Sequence, residues 1–232
     1  MAIKKKSNNK PSNDRLKIKV SKNGPYIISG GIPLEESIII RDKDGISYKW
    51  SADKKYPVRD KYDLCRCGQS KNQPFCDGSH LHIKFDGTET SDNEPYLNQV
   101  KEINGPELEL TDKPGLCVHA GFCDRATGIW KLVKKSRDPE KKKIAIEEAG
   151  DCPSGRLVVW DKEGNEVEPE FEPGIQLVED SQEGATGPLW VRGRIPIESA
   201  NGMIYEIRNR VTLCRCGKST NKPFCDGRHL NK

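Results

Sequence analysis

The sequence predicts an α+β fold dominated by β-structure and divided into three parts, and three observations carry that prediction. Over 232 residues only 34% are hydrophobic and 32% are charged, with 21 Gly and 15 Pro, so several small, loop-rich units fit better than one large core. A Cys/His block occurs twice, once in each half, preceded each time by short β-branched and aromatic runs. Between the copies lies a different segment with its own cysteines and a helix signal. The expected organisation is a basic disordered tail at 1–22, a first Cys/His unit at 23–86, a linker at 87–104, a middle α+β domain at 105–165 and a second Cys/His unit at 166–232.

Charge sets off the first segment. Residues 1–22 carry eight Lys or Arg against Asp14, a local net charge of +7, while the chain as a whole carries +4. The basicity is confined to that tail, which predicts disorder there and no nucleic-acid-binding body. Purely apolar runs such as Ile38-Ile39-Ile40 are no more than four residues long, far short of the roughly 18 to 20 residues a membrane helix needs. The Lys- and Asn-rich start has no apolar h-region, so a reducing, cytoplasmic location is expected.

Nine cysteines without a secretion signal favour metal chemistry over disulfides. Six lie in the blocks Cys65–His80 and Cys214–His229, identical at twelve of sixteen positions. The repeat extends upstream, where Gly24-Pro-Tyr-Ile-Ile matches Gly187-Pro-Leu-Trp-Val. Gly24 stands 41 residues before Cys65 and Gly187 only 27 before Cys214, so the first copy holds an excess between Ile38 and Leu64, as an inserted hairpin would. Strands are predicted at Tyr26–Ile28, Ile38–Ile40, Leu189–Val191 and Met203–Ile207.

Both blocks share the spacing Cys-x-Cys-x8-Cys-x3-His, four ligands soft enough for iron or zinc. Cys76 and His80, like Cys225 and His229, are four apart, so one helical turn sets both on one face. That pair can hold one metal atom while the Cys-x-Cys pair holds another. Asp77 and Asp226 are placed to accept backbone N–H groups where the turn begins, and Gly78 and Gly227 permit close backbone approach.

With Cys76-Asp-Gly-Ser-His80, Cys225-Asp-Gly-Arg-His229 and the preceding Cys-x-Cys and Pro-Phe-Cys, the sequence resembles the CDGSH iron-sulfur domain, the mitoNEET type. The resemblance implies a 2Fe-2S cluster in each copy. Its ligands would be Cys65, Cys67, Cys76 and His80 in the first, and Cys214, Cys216, Cys225 and His229 in the second. Arg228 stands where a small residue is usual, which changes the charge beside the ligand. Because mitoNEET-type domains pair by dimerising, two copies in one chain imply internal pairing and a monomer. Structural zinc on each Cys3His set is the alternative, although the Cys-x-Cys opening is not an ordinary zinc spacing. His82, two residues past the first set, is read as a surface residue.

The middle segment carries Cys117-Val-His-Ala-Gly-Phe-Cys123 and then Cys152-Pro. Between them Asp138 as N-cap and Pro139 at the first position predict a helix over Glu140–Ala149. A Cys-Pro after such a helix looks like the closing ligand of bacterial-type ferredoxins, and the segment resembles a divergent single-cluster ferredoxin domain. Ala120 stands where such a domain has a further Cys. Three cysteines suit a 3Fe-4S cluster, or a 4Fe-4S cluster with His119 or an external fourth ligand. The alternative is a scaffold that has lost its cluster and keeps the three cysteines as small buried hydrophobes.

A His replacing one thiolate raises a cluster's reduction potential and supplies a ligand that mild acid can release. No Gly-rich nucleotide fingerprint or Ser-His-Asp order is present, so no enzyme activity is expected. Three functions follow: an electron carrier working with a redox partner protein, a donor of clusters to apo-proteins or redox sensor, and a zinc-stabilised interaction module. The metal should act as the core of each loop, so that its removal unfolds the terminal units.

Overall fold

A computed structural model describes residues 4–180 and 184–230. Its strands are β1 (Lys17–Val20), β2 (Tyr26–Ser29), β3 (Leu34–Arg41), β4 (Ser47–Lys55), β5 (Lys61–Leu64), β6 (Lys101–Asn104), β7 (Glu109–Asp112), β8 (Leu157–Trp160), β9 (Gly174–Asp180), β10 (Ala185–Arg192), β11 (Ile197–Glu198) and β12 (Arg210–Leu213). The α-helices are α1 (Ser79–His82), α2 (Ile129–Lys134) and α3 (Pro139–Gly150). This is the β-dominated α+β class that the sequence predicts.

The two repeats exchange strands. One sheet has the order β11-β1-β2-β5 and the other β12-β10-β9-β3-β4. In the first, β11 of the second repeat lies parallel to β1, with Ile18 opposite Ile197. In the second, β3 of the first repeat lies parallel to β9, with Leu34 opposite Ile175. The sheets are topological counterparts, strand for strand, except that β4 is extra. Strand β4 forms the hairpin with β3 and accounts for the longer first copy. Ile18, Tyr26, Ile28 and Leu64 share one apolar core with Ile175, Leu189, Val191 and Leu213, so neither repeat buries its strands alone. This internal pairing has the form that the resemblance implies.

The middle unit is the antiparallel sheet β6-β7-β8 with α2 and α3 packed on it through Leu110, Leu132, Val133, Ala145, Ala149 and Val159. The Asp138 side chain caps α3 by accepting from the N–H groups of Glu140 and Lys141, as the sequence predicts.

Three expectations need correction. Part of the segment read as a disordered tail is structured: Ile18 and Val20 in β1 are fully buried, and Lys5 pairs with Glu102 and Glu109 at 2.7 and 3.1 Å. The charge of Lys17 and Lys19 hides β1 because only alternate residues face the core. The segment read as linker contributes β6 and the buried Tyr96, whose hydroxyl meets Thr111 and the Arg156 carbonyl. No strand runs over Met203–Ile207; Met203 and Ile204 are exposed, Ile204 makes one isolated bridge to Glu198, and pairing resumes at β12.

Candidate metal centres

Each block is a loop folded by its own backbone before any ligand is considered. Strand β5 ends at Leu64, which bridges to Phe75, and the Cys65 N–H donates to the Pro74 carbonyl at 2.8 Å. Ser70 Oγ donates to the Phe75 carbonyl, and Asp77 accepts from the N–H groups of Lys71 and Ser79. Gly78 at φ +85° turns the chain into α1. The second block repeats these bonds: Cys214 N–H to Pro223 O at 2.9 Å, Ser219 Oγ to Phe224 O, and Asp226 accepting from Thr220 and Arg228. A single 3-10 turn, Arg228–Leu230, replaces α1 there.

These loops bring the sequence-predicted ligands together in pairs. Cys65 and Cys67 stand 3.8 Å apart at sulfur, and Cys76 Sγ lies 3.4 Å from His80 Nδ1. The second set matches, at 3.6 Å for Cys214 and Cys216 and 3.4 Å for Cys225 and His229. Among the described residues, no three His, Cys, Asp or Glu side chains converge as a group for a single metal ion. Burial pushes the Cys76 thiol up. The hydrogen bond from Cys216, with backbone N–H groups, brings the Cys214 thiol down. His82 is exposed.

The sequence reading passed over the arginine inside each Cys-x-Cys, whose recurrence in both blocks was the available signal. Arg66 is buried, donates to the carbonyls of Ser21 and Gly87, and lies over the Tyr26 and Phe85 rings. Arg215 donates to the carbonyls of Gly187 and Val178 and pairs with Glu179 at 2.5 Å. Each guanidinium ties its cysteine loop to the neighbouring backbone.

The two loops also touch. A Cβ on Gly68 would stand 2.8 Å from the Cys216 carbonyl oxygen, and a Cβ on Gly217 would stand 2.8 Å from that of Cys67. Only glycine permits this approach, and both residues have positive φ. Tyr26 of the first repeat donates to the Cys214 carbonyl at 2.7 Å, a tie with no reciprocal because Leu189 occupies the matching position.

In the middle unit Cys117, Cys123 and Cys152 line one pocket with His119, Ala120 and Arg156. Burial, with Asp124 and the other two cysteines nearby, pushes the Cys123 thiol up to about 12. Arg156, fixed by Asp112 at 2.6 Å, supplies the opposing positive charge. Ala120 and Val118 also pack in a cluster with Cys225. The His119 ring edge lies against Gly227, where a Cβ would stand 2.5 Å from His119 Cδ2. Burial first, then His119 and Arg215, bring His229 down to about 4. Arg210 on β12 enters the middle unit, donating to the carbonyls of Ala149, Gly150, Cys152 and Leu157 and pairing with Glu168.

Comparison with protein families gives the same three parts. The family described as iron-binding zinc finger CDGSH type matches residues 23–81 and 186–230, and the family described as divergent 4Fe-4S mono-cluster matches 103–162. No curated protein and no solved structure matches the chain. Among the described residues no helix is long and apolar enough to cross a membrane. The chain is an iron-sulfur protein in which two CDGSH-type iron-binding regions flank a divergent 4Fe-4S mono-cluster region.

Proposed function

We propose that the chain binds a 2Fe-2S cluster in each terminal loop and a further cluster in the middle unit, and that it serves one-electron transfer between protein partners in a reducing compartment. The contiguity of the three sites carries this reading: Gly68 and Gly217 join the two CDGSH loops, and His119 against Gly227 joins the second loop to the middle pocket. The separation of each terminal ligand set into a Cys–Cys pair and a Cys–His pair fits two iron atoms better than one tetrahedral zinc. When bound, such clusters store and release single electrons.

The protein residues set the conditions for that chemistry. Arg156, held by Asp112, places positive charge beside Cys117 in the middle pocket, favouring the more negative, reduced state there. Cys117, Cys123 and Cys152 supply three ligands in the middle, enough for a 3Fe-4S cluster or for a 4Fe-4S cluster with a fourth ligand from elsewhere. The reading assigns no substrate chemistry to the chain. A second reading, donation of clusters to apo-protein acceptors, is favoured by the partial exposure of the histidine ligand in both loops, together with Cys76 in the first and Cys216 in the second.

Iron and acid-labile sulfide analysis of anaerobically purified protein tests the assignment. About four iron and four sulfide per chain correspond to two 2Fe-2S clusters with an empty middle, and about seven or eight iron to an occupied middle. Zinc without sulfide overturns it. Cysteine in place of His80 and His229 separates the readings: electron exchange at a lower potential survives under the first, and delivery to an apo-acceptor slows sharply under the second.

A further inference from the structure

The outer face of the β12-β10-β9-β3-β4 sheet, opposite the shared core, is not fully covered. Strand register places Arg192 and Trp190 on β10, Gln176 on β9, Glu35 and Ser37 on β3, and Ala52 on β4 on this face. The C-terminal end of α3 and the Pro169–Phe171 segment form the opposite wall. Between them lies an open cavity of about 580 Å3, to which both repeats and the middle unit contribute. That volume falls in the range of small-molecule sites.

The cavity has aromatic side chains along one wall and an arginine whose Nε lacks an acceptor. Trp50 and Trp190 pack at 5.0 Å between ring centroids, and Phe171 meets Trp190 edge-on at 5.6 Å. The Arg192 guanidinium lies 5.6 and 5.7 Å from the Trp190 and Phe171 rings. Among the described residues it has no hydrogen bond or ion pair, and its buried Nε and the buried Nε1 of Trp190 are both without acceptors. Leaving such donors unpaired is costly. Glu35 offsets part of the guanidinium charge, but no acid around the cavity accepts from the Arg192 Nε. Glu35 is held by Lys55 and Gln176, Asp151 by Arg125, and Glu168 by Arg210 and Asn209, while Glu147 faces Lys143.

We propose that this cavity binds a planar aromatic carboxylate, with its ring against the tryptophan wall and its carboxylate accepting from Arg192. A guanidinium presents paired donors that match a carboxylate, and indole faces favour flat rings. The site is separate from the cysteine loops, but it is connected to them by packing. Trp50 stacks on Phe122 at 4.6 Å, next to Cys123, and Trp190 belongs to the cluster that includes Cys225. The proposal does not depend on cluster type or on electron transfer.

Titration calorimetry of the full chain with 2-naphthoate tests it, with neutral 2-naphthalenemethanol and non-aromatic cyclohexanecarboxylate as comparison probes. The expected result is saturable one-to-one binding of 2-naphthoate, weakened at least about tenfold in Arg192→Gln and, independently, in Ala52→Phe, which narrows the mouth from the exposed edge of β4. Both variants should keep the parent's far-ultraviolet circular dichroism and metal content, which separates lost binding from lost folding. Absence of saturable binding by 2-naphthoate overturns the proposal, as does equal binding of the neutral alcohol. Unchanged affinity in a folded Arg192→Gln protein also overturns it.

Discussion

The two CDGSH-type loops share twelve of sixteen residues and the same internal hydrogen bonds, yet they occupy different surroundings. The first is open on one side: Cys76 and His80 are partly exposed, and Leu81 and Ile83 beyond them are 72% and 48% exposed. The second is packed on its Cys225 side by the middle unit, while Cys216 and His229 stay partly exposed. Cys225 is buried against Val118 and Ala120, Phe224 packs beside Tyr96 and Leu116, and Gly227 lies under His119. The motif therefore sets which atoms face the metal, while the neighbouring unit sets how dry that metal is and what it touches. Burial lowers the dielectric around a cluster and limits access to its ligands, so identical ligand sets acquire different potentials and labilities.

Breaking the clasp between β12 and the middle unit should have the largest effect. Arg210→Met removes a buried guanidinium that satisfies four carbonyls and leaves Glu168 buried without its cation. A loss of about 3–5 kcal/mol is expected in denaturant unfolding of the holoprotein, with metal lost from the second loop and middle unit before the first. Equal loss from both loops would mean that the middle unit does not determine their difference.

A matched glycine pair sharpens the comparison. Gly78 and Gly227 share φ +85°, but a Cβ on Gly78 meets nothing within 4 Å, whereas one on Gly227 meets His119 and the Cys117 carbonyl. Gly78→Ala should cost about 1–2 kcal/mol for the left-handed backbone alone. Gly227→Ala should cost about 1–3 kcal/mol more through the clash, read as a lower unfolding midpoint. Similar costs at the two positions would remove the contact that distinguishes the second loop.

The smallest expected effect is kinetic. Chelator challenge of the oxidised protein should bleach the visible absorbance in two phases, the first loop at least about tenfold faster, equivalent to about 1.4 kcal/mol in barrier. Cys76→Ser should abolish the fast phase and leave the slow one. A single phase in the parent protein would make the loops equivalent in access.

Much of the site was legible because metal ligation depends on short spacing. Cys76 and His80 do meet, but across the left-handed turn at Gly78 and not on one helical turn, because α1 begins only at Ser79, and the Asp77 and Ser70 bonds that close the loop span no more than six residues. Local chemistry also determined the cap of α3 by Asp138 and the hairpin inserted in the first repeat. Strand β1 was hidden because Lys17 and Lys19 alternate with the buried Ile18 and Val20, although β2 pairs with it only a short turn away. Met203 and Ile204 have the composition of a strand, but the sheet has no place for them and they remain at the surface.

The sequence by itself determined the ligand types, their grouping into two equivalent sets and a third, and the turns that present them, since these follow from contacts within a few residues. Tertiary structure alone decided that the repeats exchange β3 and β11, that Gly68 meets Cys216, and that the edge of the His119 ring lies against Gly227. It also decided that Arg192 stays unpaired above an aromatic wall. Those outcomes depend on which buried surfaces find each other over long separations, and no local spacing encodes that choice.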